Sequence, residues 1–100
     1  MDYPAFRQSL SRSTPPDALD RALQGLWWDA KGDWQRAHEC AQEQDDRRGA
    51  WVHAYLHRKE GDAANAGYWY RRTGGAAPEL SLPEEWEAIV RALLAEAESA

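Results

Sequence analysis

The dipeptide Gly-Asp occurs at Gly32-Asp33 and again at Gly61-Asp62, each time with an alanine four residues further on, Ala37 and Ala66. The second pair follows a run without Pro or Gly from Ala50 to Glu60. Glycine takes the left-handed conformation that ends a helix at little cost. The aspartate after it is an N-cap, its carboxylate accepting from the exposed amides of the next turn. Helices joined this tightly run roughly antiparallel and bury their facing sides. The segments Ala30-Lys31-Gly32-Asp33 and Lys59-Glu60-Gly61-Asp62 are offset by 29 residues, and stacked hairpins share a core that neither builds alone. The expectation is therefore one all-α domain over residues 1–100. It holds two antiparallel αα-hairpins with a period of about 29, over 14–44 and 46–73, and a capping C-terminal helix over 81–98.

Along the chain, Phe6 and Leu10 sit four apart, so a helical turn starting at Pro4 can dock on the core; a loose arm over 1–13 is the alternative. Ser13-Thr14-Pro15-Pro16-Asp17 has the composition of a helix start, and the helix is expected to run to about Lys31 with Leu19, Leu23, Leu26 and Trp27 on one face. The next carries Trp34, Ala37, His38 and Ala41 and fades into the polar run from Gln42 to Arg48. Ser81 and Glu84 form a capping box with Pro83 in the first turn. The helix they start has an apolar stripe of Trp86, Ile89, Val90, Leu93 and Leu94 and is expected to cover the second hairpin. Its outer face reads as acidic, with Glu79, Glu84, Glu85, Glu87, Glu96 and Glu98 against Arg91.

Charged residues make up 29% and apolar ones 43%, which excludes a disordered chain and a membrane protein. Six Trp and four Tyr supply core area, since each ring buries about 150–250 Å². A net charge of −5 argues against nucleic acid, whose phosphates need clustered Lys and Arg. The lone Cys40 forms no internal disulfide and suits a reducing cytoplasm. MDYPAFRQSL lacks the basic start and apolar stretch of a secretory signal. No stretch approaches the ~20 apolar residues of a spanning helix. A soluble cytoplasmic protein is expected.

The two units resemble tetratricopeptide repeats. Gly25, Trp28, Gly32, Trp34 and Ala37 match that pattern in the first unit, and Ala54, Gly61, Ala66, Tyr70 and Pro78 in the second. His53 and His57 stand where the family has an aliphatic and an aromatic residue. The likeness spans residues 18 to 78, with a period shorter than the family's 34 residues and two units where three are usual. The segment AWVHAYLHRKEGD is also similar to a motif of small bacterial proteins. The tetratricopeptide resemblance implies that a peptide or partner protein binds the concave surface lined by each unit's first helix. Carried over by register, the groove positions are Ala22, Leu26, Asp29 and Ala30, then Trp51, Tyr55, Arg58 and Lys59. The same register sets His53 and His57 against the second helix of their own hairpin, partly buried and hydrogen-bonded.

By spacing alone, Trp51, Tyr55 and Arg58 share one helix face, suited to a carboxylate or an extended peptide. The competing reading makes the rings core, covered by the last helix. His53 and His57 are four apart and close enough to share a metal, but His38 and Cys40 lie on another helix facing different directions, and no HExxH or CxxC accompanies them. No metal and no cofactor are expected. Arg47, Arg48, Arg58, Lys59, Arg71 and Arg72 make a basic segment. It either pairs with the acidic last helix or, through His53, His57, Arg58 and Arg72, holds a phosphate or carboxylate. Cys40 has no nucleophile elbow or oxyanion pattern around it. The favoured function is a non-catalytic, protein- or peptide-binding module acting through Trp51, Tyr55, Arg58 and Lys59. The alternative is a small anionic-ligand-binding or hydrolytic protein using His53, His57 and Arg58, and a third reading is a homodimer that covers its own apolar end.

Overall fold

A computed structural model describes residues 1–99, and in those residues every regular element is a helix. They are α1 (Tyr3–Ser9), α2 (Arg21–Ala30), α3 (Trp34–Glu43), α4 (Arg47–Lys59), α5 (Ala63–Arg72) and α6 (Leu82–Ser99). The two elbows are near copies. Gly32 and Gly61 have φ of +83° and +87°. Asp33 N–H donates to the Trp28 carbonyl at 3.0 Å, and Asp62 N–H to the His57 carbonyl at 2.9 Å. Each aspartate then caps the following helix, Asp33 accepting from Arg36 N–H and Asp62 from Asn65 N–H. Sequence positions 29 apart thus make the same backbone bonds, and α2 pairs with α3 as α4 pairs with α5.

α3 lies against α4, which joins the two hairpins, and α6 packs on α4, α2 and α1. The last helix therefore reaches further than the second hairpin, because its apolar stripe enters the core of both. Ile89, Val90 and Leu93 are fully buried beside Leu26, Trp27, Val52 and Leu56. Tryptophan serves here as both filler and tether. Trp86 Nε1–H donates to the Leu26 carbonyl at 2.9 Å, Trp34 Nε1–H to the Leu56 carbonyl at 3.1 Å, and Trp27 Nε1–H to Ser9 Oγ at 3.1 Å. The N-terminal segment is a docked helix, α1, capped by Asp2 and anchored by the fully buried Phe6.

Two expectations are corrected. The helix expected from residues 13–17 begins at Arg21, because Asp20, not Ser13 or Thr14, accepts from a first-turn amide, that of Leu23. Asp20 also has partners from distant elements, Arg48 at 2.7 Å and Gln44 at 3.0 Å. Glu85 does not belong to an exposed acidic face: it is 1% exposed. The Ser81–Glu84 capping box is present, with reciprocal bonds of 2.9 and 3.2 Å. The side chain of Glu98 lies outside the described residues. Among the described residues no helix is long and apolar enough to cross a membrane.

Candidate functional site

α6 crosses the inner faces of α2 and α4 and divides the residues expected to share one groove. Tyr55 and Lys59 face one end. There a cleft of about 610 Å³ is walled by Asp29 and Ala30 of α2, Tyr3 and Arg7 of α1, and Trp86 of α6. At its base the Asp29 carboxylate is only 5% exposed and is held from two sides. Tyr55 Oη donates to Oδ2 at 2.9 Å and Lys59 Nζ to Oδ1 at 2.8 Å. Burial, followed by the neighbouring Asp29 charge, drives the Tyr55 hydroxyl far above its ordinary pKa, so it stays a donor. The cleft thus joins an aromatic wall to a buried anion already paired, with the Arg7 side chain and part of the Lys59 stem at its mouth.

Trp51 faces the other side of α6. It is half-buried, lies under the Arg47 guanidinium at 5.5 Å, and borders a smaller hollow of about 250 Å³ closed by the 73–80 segment. Arg58 belongs to neither opening. Its guanidinium donates to Glu85 Oε1 at 2.7 Å and makes a close contact to the Leu80 carbonyl. Glu85 Oε2 also accepts from Tyr70 Oη at 2.5 Å, so one buried carboxylate ties α4, α5 and α6. Burial, and then that hydrogen bond, raise the Tyr70 pKa well above its usual value. The remainder of the basic segment is partly paired as well: Arg48 with Asp20 and Glu96, Arg47 with Glu96, and Arg72 with Asp45.

The histidines occupy the side of α4 turned away from the cleft. His53 and His57 stack at 4.8 Å between centroids. His38 of α3 meets both, with Nε2 of His38 and Nε2 of His53 2.9 Å apart. The expectation that His38 faces elsewhere is therefore corrected: packing of α3 on α4 brings it onto the pair. Trp34 stacks on His38 at 4.9 Å, and Trp69 on His53 at 4.0 Å. Burial depresses the pKa of His38 and takes that of His53 to about 4, so both rings are neutral near pH 7. Glu60 Oε1 sits 2.8 Å from Nδ1 of His57. One ring nitrogen from each of the three lies within 4.8 Å of the others. His57, Glu60 and Asp62 also meet within that distance, but Asp62 is committed to the first turn of α5. Arg72 lies over Trp69 at 4.8 Å, on the rim of this cluster. Cys40 is buried apart from it, and burial raises its thiol pKa, which leaves little thiolate.

Compared with known proteins, the chain matches no family model, no curated relative and no solved structure. Helical spacing in the sequence points to Tyr55, His53 and His57, and family register alone to Lys59 and Asp29. Both pass over Glu85 and the placement of His38, whose positions depend on which helices touch.

Proposed function

We propose that this protein is a non-catalytic, cytoplasmic binding module of tetratricopeptide-like helical hairpins, and that a segment of a partner protein binds in the cleft between α1, α2, α4 and α6. The observation that carries this reading is the wall of the cleft. Ala30 and Lys59 are exposed beside Trp86 where α6 leaves them uncovered, and the buried Tyr55–Asp29 pair lies beneath them. A cavity of about 610 Å³ with aromatic walls and a few fixed polar groups suits one or two anchoring side chains of an extended peptide. The Asp29 carboxylate is satisfied from within, so the cleft offers apolar area without a buried unpaired charge. The lone buried cysteine agrees with a reducing compartment, and the AWVHAYLHRKEGD segment with a bacterial source.

The test is selection of binders from a displayed random-peptide library, followed by mapping with amide chemical shifts. Ala30 is exposed at the cleft wall, so Ala30→Trp fills the opening without entering the core. Selected peptides are expected to shift Tyr3, Lys59 and Trp86 and to lose at least tenfold in affinity on the blocked variant. Peptides that bind both proteins equally, or that shift residues elsewhere, would remove the cleft as the binding surface.

A further inference from the structure

A second site lies on the opposite side of α4 and is independent of the cleft. We infer that His38, His53 and His57 bind one divalent ion of the zinc and copper class, each through one ring nitrogen, with a further coordination position open. His53 and His57 project from successive turns of α4, the spacing at which two imidazoles can grip one ion. His38 arrives from α3 and completes a triangle of nitrogens all within 4.8 Å of each other. A tetrahedral ion with metal–nitrogen bonds of about 2.0–2.1 Å needs ligand nitrogens about 3.4 Å apart. The His38–His53 pair, at 2.9 Å, has to open by a few tenths of an ångström, and the nitrogen of His57, within 4.8 Å of both, has to settle at the same spacing. Both are small side-chain motions.

The surroundings favour the same use. With Nδ1 of His57 engaged by Glu60, Nε2 is the nitrogen left to bind an ion, and a carboxylate behind a histidine fixes the orientation of the ring. Trp34 and Trp69 flank His38 and His53 and restrict their rotation, and Trp34 is itself pinned to the Leu56 carbonyl. A donor set of imidazoles alone selects zinc, copper or nickel over calcium and magnesium, which take oxygen ligands. Three ligands from two helices would also clasp the first hairpin to the second. His38 is partly exposed, which gives the ion a route in and leaves room for an exogenous ligand.

The full chain, stripped with a chelator, would be titrated with Zn²⁺ and Cu²⁺ at pH 7.5. One ion per chain is expected, with a Tm rise of roughly 10 °C at a hundredfold excess over Kd and no response to Ca²⁺. His38→Gln should weaken affinity by at least tenfold, and Glu60→Gln, acting through His57, by about tenfold. Both positions are at least partly exposed, so the fold should survive. The copper spectrum of the unmodified protein supplies a readout that no variant can spoil, with coupling to three imidazole nitrogens expected. Absence of saturable binding, affinity unchanged in His38→Gln, or a copper spectrum without nitrogen coupling would each overturn the assignment.

Discussion

Tyr55 and Gly49 illustrate opposite constraints on single residues. Tyr55 is 2% exposed, and its hydroxyl supplies one of the two bonds that make a buried Asp29 tolerable. Tyr55→Phe keeps the ring and removes that donor, so unfolding in urea should show a loss of about 2 kcal/mol, typical of a hydrogen bond to a buried charge. Gly49 is limited by space. A Cβ there would sit 1.9 Å from the Gln44 carbonyl oxygen, and backbone cannot swing aside as a side chain does. Gly49→Ala should destabilise by about 3 kcal/mol. Gly67, also helical, would meet only the mobile end of Arg71 at 3.4 Å, so Gly67→Ala should gain about 0.5–1 kcal/mol. Equal effects at the two glycines would contradict the packing of the 44–49 connection.

At the scale of elements, local chemistry and long-range packing divide the work. The elbows and the Ser81–Glu84 box were legible because a glycine and a cap act within one turn. The start of α2 was not. Ser13, Thr14 and Asp20 are all competent caps, and the choice fell to the one that Arg48 and Gln44 reach from other parts of the chain. Glu85 misled for the same reason: its polarity points outward, while its partners Arg58 and Tyr70 come from α4 and α5. Removing it strands a partly buried guanidinium and a buried hydroxyl, so Glu85→Ala should cost about 3 kcal/mol by denaturant titration. Glu87→Ala, two residues on, breaks only the exposed pair with Arg91 and should stay within about 0.5 kcal/mol.

For the molecule as a whole, the question is how two hairpins and α6 become one body. Part of the answer is Asp20, which caps α2 and pairs with Arg48 of α4, while Arg48 continues to the Leu93 carbonyl and Glu96 of α6. Burial acts to raise the Asp20 pKa, but the bonds from Arg48, Leu23 N–H and Gln44 together outweigh it and lower it below the ordinary 3.8. A carboxyl depressed on folding adds stability above its unfolded pKa and loses that stability as pH falls through the folded value. Asp20→Asn keeps the cap and loses the charge, so wild type should lead by about 1 kcal/mol at pH 7. That lead should shrink below pH 3.8, and a gap constant with pH would refute the pairing.

The assembled shape was legible as two hairpins and a last helix, but the line taken by α6 was not, because a stripe of Trp86, Ile89, Val90 and Leu93 says only that something covers it. That line decides which part of the concave face is core and which is cleft, and it rests on the bond from the Trp86 indole to Leu26. Hydrogen exchange of the Trp86 indole N–H, assigned by comparison with Trp86→Phe, reads it directly. This fold predicts strong protection and a nuclear Overhauser contact to Leu26. Exchange at the rate of a free indole would mean that α6 lies elsewhere and that the inner faces of α2 and α4 form an open groove.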